Sequence, residues 1–148
     1  MVTHKLNLEP EVHGQDIVCV HTVLPAYMFV FQLNRLLNLS LFRSKEDLSA
    51  RTAEHRFAVY EYNCAVMQQT WRVIENHFTT SQNESQESLF PQSEQRFYLF
   101  PELDQTDLLV CVNGLTESAL KKMQSIGRVI SCHRLPEKLY NIKKQLTF

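Results

Sequence analysis

Residues 97–112 read FYLFPELDQTDLLVCV. An apolar, aromatic run breaks on Pro101-Glu102, passes Asp104 and Asp107, and resumes as LLVCV. Proline has no N–H for a sheet ladder, so Pro101 belongs at a strand end or edge. Aspartates bond readily to nearby backbone N–H groups, so Asp104 and Asp107 suit the turn into the second run. The stretch therefore predicts two strands joined by an acidic turn, with 108–112 a central strand.

Working outward, the segment after this strand is TESALKKMQSIG (116–127), a helix. Thr116 is a good N-cap, Leu115 and Leu120 can staple across it, and Gly127 supplies the stop. VISCHRL (129–135) is the last strand, closed by Pro136, and the tail EKLYNIKKQLTF has room for a short helical turn. On the N-terminal side, DIVCVHTV (16–23) reads as a strand buried on both faces. PAYMFVFQLNRLLN (25–38) reads as a helix with Pro25 in its first turn and Asn38 able to close it left-handed. Ala26, Phe29, Val30, Leu33, Leu36 and Leu37 form one stripe of 3.6-residue period. Between the halves lie candidate strands at 39–43, 55–63 and 69–80, the last two alternating aromatic and β-branched residues with polar ones. Residues 81–95 are rich in Ser, Gln and Glu and read as a mobile loop.

The order is β-α, a run of antiparallel strands, then β-α-β. Two helices with single apolar stripes need a sheet to cover them. The expectation is one α+β domain over 1–148: a two-layer sandwich with a largely antiparallel sheet of six or seven strands. Both helices lie on one face, in a ferredoxin-like plan with extra meander strands. Val18, Val20, Leu109, Val112 and Ile130 are expected in its core.

A chain of 148 residues holds one core of this kind. Its 15 basic and 16 acidic residues leave a net charge of -1, which argues against broad nucleic-acid binding. The N-terminus lacks the pattern of a secretory signal, and 25–37 is too short and too polar to span a bilayer. Cys19, Cys64, Cys111 and Cys132 are far apart, which fits reduced thiols in the cytoplasm.

The chain resembles the small Bacteroidetes family IPExxxVDY, through Phe100-Pro101-Glu102-Leu103-Asp104-Gln105-Thr106-Asp107-Leu108. Pro101, Glu102 and Asp107 match the motif, while Phe100, Thr106 and Leu108 depart from it. The opening THKL, the helix end NRLLNLSL and the C-terminal Phe are similar too. The resemblance implies genes placed between those for ribonuclease III and pyruvate kinase, hence a cytoplasmic housekeeping setting. It carries no catalytic residue to this chain.

Site chemistry is sparse. Cys19, Cys111 and Cys132 with His21 or His133 could make a Cys₃His site, but no short ligand spacing supports it. Buried thiols acting as small hydrophobes are the stronger reading, and no metal or cofactor is expected. Gly14, Gly114 and Gly127 are isolated, so no phosphate-cradling loop is present. Glu102 and Asp107 could serve as an acidic pair, although a solvated turn explains them as well. Arg56, Arg72 and His77 among aromatics are candidate RNA contacts. Tyr27, Met28 and Phe31 lie on the flank of the first helix away from the stripe, and Met and aromatics there suggest an interface. A homodimer is the favoured cover for that flank, with a wider sheet, the chain's own tail or the 81–95 segment as the intrachain alternatives. The leading expectation is a non-enzymatic cytoplasmic interaction module. The alternatives are an RNA-associated accessory factor and an enzyme using the Glu102/Asp107 turn.

Overall fold

A computed structural model describes residues 15–49, 56–81 and 94–145. In chain order these form β1 (Gln15–Thr22), α1 (Ala26–Leu37), β2 (Phe42–Arg43), β3 (Leu48–Ser49), β4 (Arg56–Phe57) and β5 (Val59–Cys64). β6 (Gln69–Glu75), β7 (His77–Ser81), β8 (Glu94–Tyr98), β9 (Leu108–Asn113), α2 (Glu117–Gln124), β10 (Val129–Arg134) and α3 (Tyr140–Gln145) follow. A six-stranded sheet runs β10-β1-β9-β6-β5-β2, and every neighbouring pair in it is antiparallel. β1-α1-β6 and β9-α2-β10 are its two split β-α-β units. The expected α+β sandwich with a ferredoxin-like plan is therefore the fold, with β5 and β2 as added edge strands.

The two longer helices, α1 and α2, pack on one face. Val18 and Val20 of β1, Leu108, Val110 and Val112 of β9, and Trp71 and Val73 of β6 project there. They meet Phe29, Val30 and Leu33 of α1 and Leu120 and Met123 of α2. Asn38 closes α1 at φ 54°, and the Thr116 hydroxyl of α2 accepts from Ala119 N–H at 3.1 Å. Pro25 stands just before α1 rather than within it, with its carbonyl accepting from Met28 and Phe29. Leu36, assigned to the buried stripe by spacing, is partly exposed near the helix end.

The opposite face is buried as well. Ile17, Cys19, Ile74, Leu109 and Cys111 are covered by Phe100, Leu103, Leu135 and Ile142. Among the described residues that cover is irregular: it comes from the turn after β8, the segment after β10 and α3, with Leu48 of β3 packed beside them. This is why β1 and β9 read apolar at successive positions.

Four local expectations need correction. Residues 69–80 are not one strand, because Asn76 breaks them into β6 in the main sheet and β7 in a hairpin with β8. Residues 55–63 are interrupted at Ala58. Ile130 is 61% exposed instead of buried. The β1–β10 register passes from His21↔Ser131 to Thr22↔Val129, so Ile130 is the extra residue of a bulge and turns out of the alternation. Finally, α2 ends at Gln124 with Ser125 as its C-cap, and Arg128, not Gly127, takes the left-handed conformation at φ 70°. The expected mobile loop falls mainly on 82–93, outside the described residues.

Candidate functional site

The acidic stretch closes around a single buried side chain. Asn76, fully buried, donates from Nδ2 to the carbonyls of Leu103 and Thr106, both at 2.9 Å. Its Oδ1 accepts from Phe100 N–H at 3.0 Å, and its backbone bonds Asp107 C=O and Leu99 N–H. Pro101 opens a 3-10 turn over Pro101–Leu103 that drops Leu103 into the core and leaves Pro101 and Glu102 exposed. The break at Pro101 thus serves a plug seated on the second sheet face.

Asp107 is not a local turn aspartate. Its Oδ2 accepts from the Nδ1 of His21 at 2.7 Å and from Thr22 N–H at 2.9 Å, and its Oδ1 lies 3.1 Å from His77 Nε2. Burial by itself would raise this carboxyl, but the bonds from His77, Thr22 and His21 override it and hold the pKa at about 2. An ionised carboxylate can only accept, so it fixes the tautomers, leaving His21 Nε2 and His77 Nδ1 as the outward positions. The carboxylate ties the end of β1, the start of β7 and the approach to β9. Glu102 is not among its partners.

Beside this hub lies a cleft of about 330 Å³ bordered by Pro25, Tyr27, Glu75, His77 and Asp107. Burial raises the Glu75 carboxyl, against the opposing pull of His77, Arg43 and a backbone bond with Ala58. Among the described residues, no cation lies within salt-bridge distance of Glu75. Above the cleft runs the outer face of α1. Tyr27 and Phe31 are 64% and 62% exposed and Met28 40%. Arg35, exposed and the only charged residue of α1, continues the line at the same four-residue spacing. Within the described part of the tail, Ile142 of α3 packs on the opposite side of the sheet from this face.

The other candidate residues are dispersed. Arg56 is exposed on β4, and Arg72 borders a separate cleft of about 420 Å³ with Phe42 and Tyr62. His77 is turned onto Asp107. Cys132 faces the helices while Cys19 and Cys111 face the other side, so the three thiols cannot share one ion. Burial pushes the Cys111 and Cys132 thiols up to about 12 and about 11. No group of three metal-ligating side chains is assembled among the described residues, and no described helix is long and apolar enough to cross a membrane. Asn76 and the His21–Asp107–His77 hub escaped sequence reasoning. Their only sequence signal was an Asn and two His at strand ends, with partners up to 86 residues away. Comparison with protein-family models, curated proteins and solved structures found no match.

Proposed function

We propose that the chain is an interaction module that docks through the outer face of α1. The observation that carries this reading is the line Tyr27, Met28, Phe31: three large side chains left exposed on a helix whose other face is fully used. A contiguous apolar flank of this kind on a surface helix marks a binding surface more often than a free one, and its residue types are those enriched at interfaces. The RNA reading rests on Arg56, Arg72 and His77, which lie on three different elements, and so has less support. A reading as an enzyme using Glu102 with Asp107 has less still, because Asp107 is engaged by His21, His77 and Thr22 and Glu102 stands apart.

The test is Phe31→Glu, which changes an exposed position and should leave the circular dichroism and melting curve unaltered. Sedimentation of the purified protein and of cell extract should show the wild type in a larger particle and the variant at single-chain mass. Identical sedimentation of wild type and variant in both preparations would sink the reading.

A further inference from the structure

Resting on that reading, we infer that the occupant of the α1 face is a second copy of this chain, crossing antiparallel with Phe31 on the two-fold axis. The exposed line Tyr27, Phe31, Arg35 is spaced four residues to each side of its centre. Such i±4 ridges interdigitate between helices at axis separations of about 8–10 Å. A two-fold interface places the same patch on both copies, so what stands at one end of the line meets what stands at the other.

Charge decides the direction. Arg35 is the only charged residue of α1, and it sits in the last turn. A parallel crossing would set two guanidinium groups side by side beside apolar surface, with no carboxylate on the helix to separate them. An antiparallel crossing carries each Arg35 to the far end of the other helix, where Tyr27 is exposed and borders the cleft with Glu75. There a guanidinium finds an aromatic face and the half-buried Glu75 carboxylate, which His77 and Arg43 influence from farther off but which forms no close ion pair among the described residues. The span from Tyr27 to Arg35 is about 12 Å at 1.5 Å per residue, which puts both ends within reach of a long side chain when the helices cross at Phe31. Met28 fills the space beside the axis.

Arg35→Ala separates the two crossings, because it removes an attraction from the antiparallel one and a repulsion from the parallel one. Sedimentation equilibrium should give a dimer Kd about tenfold weaker for Arg35→Ala, a change of the size one desolvated cation–π and ion-pair contact makes. Glu75→Gln should weaken the dimer in the same direction, and the double variant should lose less than the two single losses combined. An unchanged or tighter dimer in Arg35→Ala would overturn the antiparallel register while leaving the α1 face as the docking surface. A wild type that is monomeric at tens of micromolar but sediments in a larger particle in extract, from which Phe31→Glu is lost, would overturn the second copy as occupant and keep the interaction reading.

Discussion

The two faces of the central sheet are covered in different ways. On one face, two amphipathic helices lay repeated apolar positions onto Val18, Val20, Val73, Val110 and Val112, and the buried Thr22 hydroxyl bonds only the segments flanking them, at Leu24 and Arg128. On the other, the cover is a 3-10 turn, a connecting segment and a six-residue helix, contributing Phe100, Leu103, Leu135 and Ile142. Irregular segments have backbone groups that no ladder satisfies, and burying them unpaired is costly. Asn76 answers that cost with its side-chain bonds to the Phe100–Thr106 turn, and Asp107 pins the turn's far end to β1 and β7. A regular cover is held by apolar periodicity, whereas an irregular one is held by a few polar side chains at fixed points.

Substitutions on each side should break the molecule differently. Phe29→Ala removes the largest fully buried side chain of the helix face and should cost about 4 kcal/mol, in one cooperative transition. Chemical denaturation would show a lower midpoint with an unchanged slope. A separate early transition would mean that the helix layer opens alone.

Asn76→Ala should cost about 3 kcal/mol, since it leaves the Thr106 carbonyl and the Phe100 N–H buried without partners and removes one of the two donors to the Leu103 carbonyl, whose other donor is Thr106 N–H. Here the loss should be local. Hydrogen exchange should speed up at Leu103 and Thr106 while the β1–β9 ladder keeps its protection relative to global unfolding. Equal acceleration in both regions would erase the distinction between the two covers.

The smallest effect is pH-linked. The Asp107 carboxyl is depressed from 3.8 to about 2 on folding. Its contribution is therefore fully present above pH 3.8 and is lost as pH falls towards 2. After allowance for solvent screening at a partly exposed site, it amounts to about 1 to 2 kcal/mol. Asp107→Asn should flatten the wild-type loss of stability between about pH 4 and pH 2. An identical acid profile in the two proteins would show that the imidazole and N–H bonds to Asp107 do not stabilise the fold.

Much of the regular architecture was legible in the sequence because local rules decide it. The α1 stripe, the left-handed Asn38 and the Thr116 cap each depend on residues within about one turn of themselves, and helix periodicity exposes them directly. The order β-α, strands, β-α-β was enough to select the split sheet, since two helices of single apolar stripe have few ways to share one face. Tertiary structure alone decided the rest. Alternation through 69–80 runs smoothly across Asn76, so nothing local marks it as the place where the chain changes sheets. The bulge that expels Ile130 exists only in the pairing of β10 with β1. Asp107 looks like any turn aspartate until folding brings His21, Thr22 and His77 to its carboxylate from distant parts of the chain. Periodicity reports what a residue does for its own element, while a hydrogen bond between elements carries no periodic signal.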